Sequence, residues 1–170
     1  MVGPFAWAAI AAVVAILGVY AVYLYQNPYV LNPPTTDQIA LAIHERVNEE
    51  REKAGRPVLV WDPTLATVAQ GWSDEMATRN IFQHHDPNTQ WAHEHRYAKA
   101  GYYCEASAEN LFWHGETGPI SSERLAKEVV QGWMESTEGH KENILFPFAR
   151  EGIGVAFNDE RGYYVTQNFC

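Results

Sequence analysis

Apolar residues follow three rhythms along this chain, and each rhythm predicts a different element. Residues 5–25 form an uncharged, nearly all-apolar run. At ~1.5 Å per residue, a helix of that length crosses the ~30 Å hydrocarbon layer of a bilayer. Beyond it the spacing becomes helical. Ile39, Ile43 and Val47 make one stripe; Leu65, Val68, Ala69, Trp72 and Met76 a second; Leu125, Val129 and Trp133 a third. Residues 153–157 and 163–169 read as two strands, with a hairpin turn at 158–162.

Punctuating residues divide the rest. Residues 26–36 are rich in Pro, Asn and Thr and read as a semi-extended linker. Thr36 or Asp37 caps the first amphipathic helix, which Gly55 ends, and the apolar run Val58-Leu59-Val60-Trp61 docks the chain. Asp62-Pro63 is a specific start signal, N-cap and then first helical residue, for a helix ending near Asn80. Residues 81–90 read as a loop, 91–100 as a short helix closed by Gly101, and 102–120 as alternating aromatic and polar residues broken by Gly115, Gly118 and Pro119. Ser121 or Ser122 caps the next helix. The expected organisation is an anchor over 1–26, a linker over 27–36 and one α+β domain over 37–170.

Charge narrows the function. The 170 residues carry a formal net charge of −9, and the first charged side chain is Asp37. An acidic domain without a Lys/Arg cluster has no long-range attraction for phosphate backbones, so nucleic acid is not an expected partner. The apolar run reads as a retained single-pass anchor rather than a cleaved signal: Val19 and Ala21 form a weak cleavage site, but a basic n-region is missing. No Lys or Arg precedes Arg46, so the positive-inside rule has little to weigh. Cys104 and Cys170 behind a membrane-targeting segment read first as a disulfide; two buried thiols, or a nucleophilic Cys104, are the alternatives.

Three hydrolase patterns fail. His93-Glu94-His95-Arg96-Tyr97 and His44-Glu45-Arg46-Val47-Asn48 lack the second histidine of a zinc-protease helix, and Gly71-Trp72-Ser73-Asp74-Glu75 lacks the closing glycine of a nucleophile elbow. A scattered set remains: His84, Glu109, Glu135 and His140. Two imidazoles and one or two carboxylates can hold a divalent cation with an open position, or serve as acid and base. The plain alternative is solvated loop histidines and a capping glutamate. His44, His93, His95 and His114 read as surface or core-edge residues, and Trp61, Trp72 and Trp133 as core.

Taken in order, several short motifs resemble one family, the CAP superfamily of cysteine-rich secretory, antigen 5 and pathogenesis-related 1 proteins (SCP domains). Val47-Asn48-Glu49-Glu50-Arg51 with Lys53-Ala54-Gly55 and Pro57 matches its first-helix signature, and Trp61-Asp62-Pro63 with Leu65-Ala66 its second. Phe82-Gln83-His84, Ala108-Glu109-Asn110-Leu111, Gly132-Trp133-Met134, Gly139-His140-Lys141 with Asn143-Ile144-Leu145, and the closing hairpin follow in family order. The resemblance implies a three-layer α-β-α sandwich, here preceded by one transmembrane helix. It also implies a large cleft lined by two histidines and two glutamates that can bind zinc or another divalent ion. His84, Glu109 and His140 fall on three of those positions. The fourth glutamate position is Ser136; Glu135 is one place short, a turn of ~100° on a helix. His85 replaces His84 if the loop shifts by one residue. The expectation is a membrane-anchored domain outside the cytoplasm whose cleft takes up a small, lipid-like or peptide ligand, with His84 and His140 as metal ligands. The alternatives are a metal-dependent, peptidase-like hydrolase with Glu109 and Glu135 as catalytic groups, and a cell-surface scaffold.

Overall fold

The computed structural model describes residues 3–170, so Met1 and Val2, the start of the expected anchor, lie outside the described residues. The chain divides into two compact units, Met1–Pro33 and Pro34–Cys170. In the first, helix α1 (Pro4–Gln26) holds a candidate membrane span, Trp7–Gln26, whose side chains are not buried by the protein. Its 23 residues amount to about 34 Å.

The second unit begins with helix α2 (Thr36–Lys53), followed by strand β1 (Val60–Trp61), helix α3 (Pro63–Arg79), helix α4 (His93–Lys99) and strand β2 (Ala108–His114). Helices α5 (Ser122–Glu135) and α6 (His140–Leu145) and strands β3 (Arg150–Asn158) and β4 (Gly162–Phe169) complete it. Local chemistry sets several boundaries. Thr35, one residue before the expected cap, makes a reciprocal capping box with Gln38. The Asp62 carboxylate accepts from the Thr64 and Leu65 amides at 2.9 and 3.0 Å. Asn48 docks the strand that follows α2 by bonding both the N–H and the C=O of Leu59, at 2.7 and 3.0 Å.

The sheet runs β1-β3-β4-β2, with β1 parallel to β3 and the other pairs antiparallel. Two of these strands lie outside the expected pair. β2 escapes a period-two reading because both of its faces are covered at its start, so Glu109 and Asn110 are both buried. Ile153, Val155, Val165 and Phe169 face α2 and α5 in the main core, while Leu111, Ala156 and Tyr164 pack with Trp72 and Met76 of α3 in a second. The result is the three-layer α-β-α sandwich. α3 lies directly on β3 because Gly152 and Gly154 face it. A Cβ at Gly154 would stand 2.1 Å from the Gln70 amide nitrogen, and one at Gly152 2.0 Å from that of Ala66.

Two further devices hold the domain. Cys104 and Cys170 form a disulfide across a separation of 66 residues. Arg51 on α2 is fully buried and donates to four carbonyls, of Pro57, Ile144, Phe146 and Phe148.

Candidate functional site

Position in the ladder puts Glu109 where sequence alone does not. β2 is an edge strand, and its odd residues face the α3 layer, so the Glu109 carboxylate is fully buried there. Oε1 meets His84 Nδ1 at 2.9 Å, and Oε2 accepts a short hydrogen bond from the Arg96 guanidinium. Arg96, on α4, sits over the Trp72 ring, its Cζ 4.2 Å from the centroid. It also donates to the carbonyls of His84 and Trp91, at 3.3 and 3.2 Å, tying the 84–91 loop to the same point. His85 is exposed and its carbonyl accepts from Gln83, so His84 is the loop histidine that reaches the carboxylate.

His140 arrives from the other side. Gly139, at a left-handed φ of 89°, turns the chain into α6, whose first residue is His140. This short helix was not expected; the sequence suggested only a histidine past a helix end. His140 Nδ1 pairs with Ser136 Oγ at 2.8 Å, and the His140 carbonyl accepts from Asn110 Nδ2 at 3.1 Å. Ser136, at the position of the family's fourth glutamate, is thus a partner for the imidazole. Glu135 is exposed and accepts from Gln131 at 2.8 Å; it stands at the rim of a pocket of about 480 Å³ lined also by Phe82, Trp113, Ser136, Glu138 and His140.

Behind the pocket a buried polar line crosses the sheet. Asn143 donates to Asn110 (2.8 Å), Asn110 to Gln167 (3.0 Å), and Gln167 to the Glu151 carboxylate (2.5 Å), which also meets His44 Nδ1 at 2.6 Å. The other histidines have local partners. His93 meets Ser107 at 3.1 Å, His114 meets Glu128 at 3.1 Å, and His95 stacks on Trp91.

Burial, and secondarily the charge of His84, push the pKa of His140 below the ordinary histidine value, against Glu138 and Glu142. The unfolded chain therefore takes up this proton first. His140 contributes stability above about pH 6.5, and loses it as pH falls through the lower folded value. In chelator, the stability advantage of wild type over His140→Asn is expected to shrink between about pH 7.5 and 5.5, read as urea midpoints. A constant difference would show that burial of His140 does not govern its proton.

Chemically, the arrangement orients two imidazoles. Each is held through Nδ1, by Glu109 or by Ser136, and this is how outer partners fix a histidine to offer Nε2. Among the described residues no three His, Cys, Asp or Glu side chains come together as a metal site. The donor set does not fit a closed structural zinc site, which needs four protein ligands. Arg96 is the member that sequence reasoning missed. It lies 13 residues from Glu109, inside a segment that reads as a short helix and a failed zinc-protease pattern, and carries no signal of its own.

The fold and the family are shared with known proteins. Residues 44–169 match the model of the CAP family, described as the cysteine-rich secretory protein family. The uncharacterized protein YkwD of Bacillus subtilis is 31% identical over 138 residues, 81% of this chain and 49% of YkwD. The uncharacterized membrane protein YlbC of the same organism is 31% identical over 128 residues, 75% of this chain and 33% of YlbC. The chain thus spans half or less of the curated relatives it matches. A crystal structure of an extracellular SCP-domain protein from Bacillus anthracis superposes with a TM-score of 0.65 at 30% identity, over 79% of this chain and 40% of that one. An edge-strand glutamate, a loop histidine and a histidine opening a short helix thus occur here within a matching fold and family model, and the chain belongs to the CAP family.

Proposed function

We propose that this is a membrane-anchored CAP-domain protein, with residues 1–26 as anchor, 27–36 as linker and the 37–170 domain outside the cytoplasm. Its cleft takes up a small, lipid-like or peptide ligand together with zinc or another divalent cation held by His84 and His140. Support for the location comes from α1, from the disulfide, which suits an oxidising compartment, and from a relative named as a membrane protein. The observation that carries binding rather than turnover is the full burial of the Glu109 carboxylate, whose oxygens meet His84 and Arg96. A general base must reach the reacting water, and this side chain has no exposed surface on which to meet a substrate. Glu109 instead orients His84, and Glu135 lies out at the rim.

Calorimetric zinc titration of the full-length chain in detergent tests this. One site is expected in wild type, weakened at least ~10-fold in His140→Ala and in His84→Ala, since each substitution removes one of two nitrogen ligands. No heat of binding in wild type removes the cation from the proposal. A wild-type isotherm in either variant removes that histidine. Glu109→Gln is a poor probe of catalysis here, because it also strips Arg96 of its counter-charge.

A further inference from the structure

Asn168 on β4 is fully enclosed, yet neither its Oδ1 nor its Nδ2 has a hydrogen-bond partner. Arg96 Nε is likewise buried without one. The ladder sets Asn168 directly opposite Glu109, so the two side chains leave the same face of the sheet with Cβ atoms about 5 Å apart. That face is the α3 face: Thr166, two residues before Asn168, bonds Ser73 of α3 at 2.9 Å. Among the described residues, four buried side-chain atoms lack partners. Three of them belong to the two side chains that flank the Glu109 carboxylate, and the fourth is His114 Nε2.

Native interiors seldom leave an amide bare at both ends, and a buried water with two to four polar partners is the usual remedy. The inventory suits one. Asn168 Nδ2 and Arg96 Nε donate, Asn168 Oδ1 accepts, and each Glu109 oxygen keeps a lone pair beyond the bond it makes. Water accepts two hydrogen bonds and donates two. We propose that Asn168 and Arg96 hold an internal water beside Glu109, and that Asn168, through this water, is a positioning residue that keeps the carboxylate aimed at His84. The proposal concerns the buried surroundings of Glu109 and does not depend on what the cleft binds.

Asn168→Leu keeps the shape and deletes the amide. In the full-length chain in detergent, two quantities are read at fixed pH: the urea midpoint and the ring-nitrogen chemical shifts of His84. The expected result is a lower midpoint together with displaced His84 shifts. A midpoint equal to or above that of wild type would overturn the proposal, because deleting an amide that bonds nothing should stabilise the fold. A lowered midpoint with unmoved His84 shifts would overturn the positioning role. Should Asn168→Leu not fold, the wild-type protein decides: a long-lived water with a nuclear Overhauser contact to the Asn168 amide protons is expected, and its absence refutes the site.

Discussion

Arg51→Met is expected to lower the stability of the domain by about 4 kcal/mol, read as a fall in the urea midpoint at unchanged m-value. The size follows from what the guanidinium does. It is fully buried, and its donors reach the carbonyls of Pro57 (2.7 Å), Ile144 (2.5 Å), Phe146 (2.8 Å) and Phe148 (3.2 Å). Methionine fills much of the volume but leaves those acceptors without a donor, and a buried acceptor that loses its partner incurs its full desolvation cost. Arg51→Lys is expected to recover only part of the loss, since three rotatable donors cannot span a fork that reaches four acceptors. Two of the carbonyls, of Ile144 and Phe146, lie at the end of α6, which His140 opens, so the methionine variant should also loosen the cleft wall. An unfolding free energy within ~0.5 kcal/mol of wild type would mean that water enters and satisfies the carbonyls.

The paired substitution Cys104→Ser/Cys170→Ser is expected to cost about 4 kcal/mol, in proportion to the loop that the cross-link closes. This effect arises mainly in the unfolded chain, because the folded ends are held otherwise. Cys170 exchanges backbone hydrogen bonds with Arg150 at 2.9 and 3.0 Å, and Tyr102, two residues before the other cysteine, bonds Asp62 at 2.6 Å. The m-value should therefore rise as the unfolded ensemble expands, while zinc binding at neutral pH stays as in wild type. A fall in midpoint accompanied by lost binding would instead show that the disulfide shapes the native cleft.

What could be read from the residues depended on whether the signal was local. Asp62-Pro63 starts α3 through contacts within three residues, and the turn at 158–162 joins β3 to β4 as its composition suggests. The start of β2 was hidden for a non-local reason: helices on both faces bury Glu109 and Asn110 alike, which erases the alternation that marks a half-exposed strand. The candidate site divides the same way. His84, Glu109 and His140 are singled out only through the resemblance, and the fold matches that family. Their partners are not. Ser136 had only been noted as a place where a glutamate is missing, and Arg96 joins Glu109 through a packing arrangement of α4 on Trp72 that no spacing encodes.

The polar line behind the cleft has a sense as well as a path. The Glu151 oxygen accepts from Gln167, which therefore presents its NH2 group there. The Gln167 oxygen must then face Asn110, and the Asn110 oxygen Asn143. Three amides thus stand one way round between two acceptors, the Glu151 carboxylate at one end and the backbone carbonyl of His140 at the other. Exchanging that carboxylate for an amide of the same shape would leave the line pinned from the cleft end alone, by the His140 carbonyl.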